Sequence, residues 1–167
     1  MEAAGITLID AMGEALTGRP ADSGEGLSGL LDRLVDVART RRAAAAILGV
    51  SETTFYRWRR GTQRPKIGPD VVRAALRRAS LPPAKEKAVK SGTQRMVITG
   101  WFFVSNEPPR RRTLPVGDHI PTVKIRNVVN AWLKGDDTRA DRLLTNAIDK
   151  HYTPGLGIDA IESVDFR

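Results

Sequence analysis

The stretch "AAAAILGVSETTFYRWRRG", residues 43–61, constrains the fold of this chain more than any other. Its four alanines are strong helix formers. Gly49 can take the left-handed conformation that ends a helix, and Thr40 is placed to cap the start. Ser51 then caps a second helix, "ETTFYRWRR", which Gly61 stops. Two short helices in immediate succession can pack only if the first carries a small residue where the second crosses it. Ala45 is that residue, and Val50, Phe55 and Trp58 supply the apolar contacts. Phe55 and Trp58, three apart, share the buried face, so Tyr56, Arg57, Arg59 and Arg60 are left toward solvent. This is the pattern of a helix-turn-helix.

The flanking sequence extends it. Residues 5–17 can form a short amphipathic helix, and "GRPADSGEG" breaks it. Leu27, Leu30, Leu31, Leu34 and Val35 recur at helical spacing, and "PDVVRAALRRASL" adds a helix opened by Pro69 and Asp70. "PPAKEKAVKSG" reads as a basic linker. Beyond residue 92 the period changes. "RMVITGWFFVS" is rich in β-branched and aromatic residues and predicts a strand. "RTLPVGDHI" adds a shorter extended piece limited by Pro115. One helix follows on Ile125, Val128, Val129, Trp132 and Leu133, stopped at Gly135. The next is capped by Asp136 or Asp137. In "GIDAIESVDF", Ala160, Glu162, Val164 and Phe166 alternate as in a closing strand. The expected fold class is α+β: an N-terminal all-α helix-turn-helix domain over residues 1–90, then a small module over 91–167 of strand, two helices and strand. Pairing 96–104 with the closing strand gives the apolar strand a partner. The order extended segment, helix, helix also fits a ribbon-helix-helix, with Arg110, Arg111, Arg112 and Thr113 as a DNA-contacting ribbon, but Pro115 removes a donor that such a ribbon needs.

Charge points to the partner. Residues 31–90 hold 15 Lys and Arg against 5 Asp and Glu, whereas the chain as a whole carries +8. A basic block centred on the helix-turn-helix suits a polyanion, because each phosphate neutralised by Lys or Arg releases condensed counterions. With no cysteine and two histidines, neither a thiolate metal site nor a disulfide is expected, and no phosphate-binding glycine loop or acid–base constellation suggests a cofactor or an enzyme. The acidic start "MEAAGITLIDAMGEAL" lacks the basic region of a signal peptide, and no apolar run reaches membrane-spanning length. A cytoplasmic, DNA-associated protein is the expectation.

Recognition helices present their N-terminal residues to the major groove. That nominates Glu52, Thr53, Tyr56 and Arg57 for base contacts, with Arg57 able to bond a guanine edge through two donors. Thr40, Arg41, Arg42 and Ser51 at the helix starts, and Arg59, Arg60, Arg64 and Lys66 at the far end, are expected to hold phosphates. Double-stranded DNA is the expected partner. A homodimer is expected as well, because one helix-turn-helix reads only a short site.

The segment "AAAILGVSETTFYRW" resembles the helix-turn-helix of telomere terminal proteins of actinobacterial linear chromosomes and plasmids. The order of elements outside the motif is similar too, through "GTQRMVITGWFFVS" to the ending "IDAIESVDFR". The resemblance implies binding to telomeric DNA, a telomere-associated protein as partner, and covalent attachment of a side-chain hydroxyl to the DNA 5′ end. The hydroxyl-rich loop of that family is shortened here to "NEPPRRR", bounded by Ser105 and Thr113, which are therefore the candidates. The alternative expectation is a transcriptional repressor or accessory DNA-binding protein of a phage or mobile element.

Overall fold

A computed structural model describes residues 5–167. The fold is α+β, with helices dominating the first part and a three-stranded antiparallel sheet in the second. Two hydrophobic cores organise it.

The first core is all-helical. It is built from α2 (Leu27–Ala38), α3 (Arg41–Ile47), α4 (Glu52–Arg60) and α5 (Pro69–Ser80). Leu30, Leu31 and Leu34 form the buried stripe of α2. Ala44, Ala45, Phe55, Trp58, Val72 and Leu76 close over it. The local signals act as expected. Thr40 Oγ1 accepts from the Ala43 amide at 3.0 Å and Ser51 Oγ from the Thr54 amide at 3.1 Å. Gly49 turns the chain at φ +70° and Gly61 ends α4 at φ +71°.

The second core draws on more of the chain than the expected boundary after residue 90 allows. Leu8, Ile9, Met12 and Leu16 of α1 (Leu8–Thr17) are buried there, together with Leu81 and Val89. The physical reason is a fit between α1 and the last elements. Gly13 has no side chain where the Trp132 ring passes, and a Cβ there would lie 3.0 Å from the indole. The segment 82–92, expected as a linker, is a helix, α6 (Pro83–Lys90). Pro83 opens it, Lys90 and Glu86 pair along it, and Val89 anchors it in the core.

Strand β1 (Met96–Val104) lies between β2 (Arg110–Leu114) and β3 (Leu156–Phe166), both antiparallel to it. β2 is the short extended piece, and it ends before Pro115. The helices α7 (Thr122–Leu133) and α8 (Asp137–His151) complete the layer. Asp136 caps α8 through the Arg139 amide, and Ile125, Val128, Val129, Trp132, Leu144 and Ile148 meet the sheet residues Met96, Ile98 and Phe102. The alternation expected in β3 holds only at its end. Val164 and Phe166 are buried, but Ile161 rather than Ala160 or Glu162 joins them. The register shifts between Thr99 and Gly100, where the partner steps from Ser163 to Ile161 and leaves Glu162 as an extra, bulged residue. One inserted residue inverts the facing of what precedes it, and a second shift between Trp101 and Phe102, where the partner steps from Ala160 to Ile158, restores it.

A buried ionic cluster joins the two cores. Arg77 of α5, 2% exposed, reaches away from its own core. Its Nε and Nη2 donate to Asp22, with Nη2 at 2.5 Å. Its Nη1 donates to the Trp132 carbonyl at 2.8 Å and to Asp137 at 2.5 Å. The guanidinium lies 4.7 Å from the Trp132 ring centroid. Burial alone would lower its pKa, but the hydrogen bonds and charges of Asp22 and Asp137 outweigh burial and hold it above its ordinary value.

Candidate nucleic-acid interface

The outer surface of α4 is set by what its inner surface buries. Phe55 is fully enclosed and Trp58 nearly so, which fixes the rotation of the helix against α2 and α3. The remaining positions then have no choice of side: Glu52, Thr53, Tyr56 and Arg57 are all exposed. The turn before α4 is tight. The Val50 amide donates to the Ala45 carbonyl at 3.0 Å and the Gly49 amide to Ala46 at 3.1 Å. Ala45 is 1% exposed where the two helices meet.

Tyr56 is the centre of a cationic group. Its ring is flanked by Arg41 of α3 and Arg60 of α4, each guanidinium 5.4 Å from the ring centroid. Arg60 Nη1 also donates to the phenolic oxygen at 2.5 Å. Charge and aromatic surface are thus held together across the two helices. Arg41, Glu52, Thr53 and Tyr56 line a shallow open concavity at the N-terminal end of α4. Free backbone amides at a helix start attract anions, and the four exposed side chains around them offer donors, an acceptor and a flat ring.

Of the residues expected on phosphates, Arg41 and Arg60 belong to this group. Thr40, Arg41, Arg42, Ser51, Arg60, Arg64 and Lys66 are exposed, and among the described residues none of those cations is within ion-pair distance of a carboxylate. The oxygens of Thr40 and Ser51 already accept from helix amides, and Ser51 Oγ also donates to Thr54 Oγ1 at 2.9 Å, so Thr40 has its hydroxyl proton free for a phosphate and Ser51 donates to one only in exchange for the Thr54 contact. Arg59 differs. It is partly covered and bound to Asp32 of α2, with Nη2 at 2.7 Å and Nε at 2.9 Å. Arg59 therefore braces α4 against α2. The sequence spacing of 27 residues between them gave no local sign of this pair.

The two candidate hydroxyls lie elsewhere, on the β1–β2 hairpin. Ser105 is at its tip with φ +54°, in a turn closed by the Glu107 amide on the Val104 carbonyl at 3.2 Å. Thr113 is in β2, its Oγ1 3.1 Å from Thr99 Oγ1. Among the described residues no histidine or carboxylate hydrogen-bonds to either hydroxyl, and Asp118, close to Thr113 in sequence, is within 3.4 Å of Arg95 instead. No group of acidic, histidine or cysteine side chains among the described residues could hold a metal ion, and no helix among them is long and apolar enough to cross a membrane. Arg77, Asp22 and Asp137 were not legible as a group from spacing, yet they set how the α4-bearing core is attached to the sheet.

Comparison of the chain with family models, with curated proteins and with solved structures returns no match.

Proposed function

We propose that the protein binds double-stranded DNA sequence-specifically, by insertion of α4 in the major groove. The observation that carries this reading is the outer face of α4, where Glu52, Thr53, Tyr56 and Arg57 are exposed together while Phe55 and Trp58 lock the helix rotation. Arg57 is the guanine reader, Glu52 can accept from a cytosine amine, and Thr53 meets a thymine methyl. Arg41, Arg42, Arg60, Arg64 and Lys66 position the duplex. The narrower role is that of a telomere-terminal-protein-like factor at the ends of linear DNA. It rests on the resemblance of "AAAILGVSETTFYRW" and requires a reactive hydroxyl at Ser105 or Thr113. The Thr113–Thr99 contact and the absence of a basic partner at either hydroxyl favour a second reading, a repressor or accessory DNA-binding protein without covalent chemistry.

Selection of a binding site from random duplexes, followed by fluorescence anisotropy, tests the main reading. Arg57→Ala should weaken the selected site by roughly 5- to 150-fold, about 1–3 kcal/mol, while leaving random duplex nearly unchanged. Arg42→Ala should weaken both and reduce the salt slope by about one. Equal losses on every duplex with Arg57→Ala would remove that residue from base reading. The two narrower roles separate by mass. Protein recovered from DNA ends, denatured and nuclease-treated, carries a nucleotide on Ser105 or Thr113 only if the terminal role holds.

A further inference from the structure

The helices cover one face of the sheet and leave the other open. β1 sends Met96, Ile98 and Phe102 into the core, and Trp101, on the opposite face, is 41% exposed. An exposed tryptophan at the centre of a sheet is a large apolar surface to leave in water. Its cross-strand neighbours are Arg111 on β2 and Ala160 on β3. The bulge brings Glu162 back to the same level, where it accepts from Arg111 Nη2 at 2.8 Å and Nε at 3.0 Å. Charge on this sheet is segregated by strand. On the open face, shared with Val97, Thr99 and Trp101, β2 contributes Arg111 and β3 contributes Asp165 and the bulged Glu162.

We propose that the open sheet face is the contact between two copies of this chain, related by a two-fold axis lying in the interface close to the direction of β1. That rotation preserves height along the strands and exchanges the two edges. β2 of each copy then lies over β3 of the other, Arg111 faces the second copy's Glu162, and the two Trp101 rings meet at the axis. An axis running across the strands would instead stack β2 on β2 and oppose arginine to arginine. Aligned sheets pack about 10 Å apart at about −30°, which the two-fold supplies with its axis inclined about 15° to β1. Edge pairing is the poorer route to a dimer. Ile6 already bridges to Ile161 beside β3, and the outer edge of β2 is guarded by three consecutive arginines. A single-stranded nucleic acid stacking on Trp101 is disfavoured by Glu162 and Asp165 on the same face, which oppose its phosphates.

Size sets the strength. The nine residues of β1 span about 30 Å and three strands about 14 Å, so the face is about 430 Å² in projection. That is about half of the 800 Å² per partner in a stable complex. The dimer is therefore weak and reversible, as small transient interfaces are.

This inference does not depend on duplex binding by α4, and sedimentation of the chain alone is its main test. Sedimentation equilibrium of the full chain over roughly 1–300 μM should show a monomer–dimer equilibrium. At the level of Trp101, Glu162→Arg opposes the two arginines of one copy to the two of the other, and Arg111→Glu opposes glutamates to glutamates. Each variant should lose at least tenfold in self-association while its circular dichroism and melting stay near wild type, both side chains being exposed. A mixture of the two variants should form a heterodimer that neither makes alone, a result that restoring the pair within one chain cannot produce. Trp101→Ser should also be monomeric and serves if a charge variant misfolds. A wild-type chain that stays monomeric, charge variants that dimerise undiminished, a mixture with no heterodimer, or Trp101 emission quenched by a single-stranded oligonucleotide on a monomer would each overturn the proposal.

Discussion

Replacing Arg77 with methionine keeps the aliphatic stem against Trp132 and deletes every donor. The loss can be apportioned partner by partner. The Trp132 carbonyl still accepts from the Gly135 amide at 3.0 Å, so it is not orphaned. Asp137 is 31% exposed and can turn to water. Asp22 is 10% exposed and keeps only Arg73, at 3.6 Å. Nearly all the penalty therefore falls on one carboxylate left in a poorly solvated site. Breaking a buried pair from one side costs about 3–5 kcal/mol, a large part of the roughly 5–15 kcal/mol that a domain has. Adding Asp22→Asn to Arg77→Met removes the stranded charge and should recover about half of the loss, a strongly non-additive pair. The assay is urea unfolding followed by far-ultraviolet circular dichroism together with tryptophan emission. Trp58 reports on the first core and Trp132 on the second. In the wild type the two signals should coincide. In Arg77→Met they should separate, because the main polar tie between the cores is gone. A loss below about 1 kcal/mol, or additive behaviour of the double variant, would refute the argument that removing Arg77 strands the Asp22 carboxylate in a poorly solvated site.

Gly100→Ala should cost about 1–3 kcal/mol, because its Cβ would lie 2.3 Å from the Ala160 carbonyl oxygen, where the backbone of β3 approaches at the bulge; a loss under about 0.5 kcal/mol in urea unfolding would mean the strand yields freely. Ser51→Ala removes the acceptor for the Thr54 amide and should cost about 1 kcal/mol, or about 2–4 °C in Tm; an unchanged melting curve would exclude a capping role. The Glu86 carboxyl is held below its ordinary value, chiefly by the hydrogen bond from Lys90 and further by the charges of Lys90 and Arg78, against the opposing effect of burial. Its contribution is complete above the unfolded value near 4.3 and is lost as pH falls through the lower folded value. Glu86→Gln should therefore flatten the decline of stability below about pH 4.3; an identical slope in both proteins would place the acid-sensitive groups elsewhere.

What could be read in the chain was what is encoded within a few residues. Thr40, Ser51, Gly49 and Gly61 act on amides three or four positions away, so the limits of α3 and α4 follow from local chemistry. The outward set Glu52, Thr53, Tyr56 and Arg57 follows in turn from the inward spacing of Phe55 and Trp58. α6 escaped because "PAKEKAVK" has one deeply buried residue, Val89, and so no apolar period. The bulge at Glu162 escaped because strand register is a property of two strands, and alternation in one cannot reveal an extra residue. The pairs Arg59–Asp32 and Arg77–Asp22, 27 and 55 residues apart, are products of the fold rather than of spacing. The attachment of α1 to the far core belongs with them. Its amphipathic pattern announced a buried face without naming the partner.

That attachment has a consequence for how the chain is made. The helices from Leu27 to Ser80 enclose their own core, so this unit can mature as soon as its last helix leaves the ribosome. Helix α1 is synthesised before any of them, yet β3 and α8, which cover it, emerge after all of them. In the interval Leu8, Ile9, Met12 and Leu16 lack their cover while the neighbouring unit is already finished. Vectorial synthesis thus leaves an apolar segment of the nascent chain unattended. Helix α4 can be ready while the sheet that closes over α1 is still unwritten.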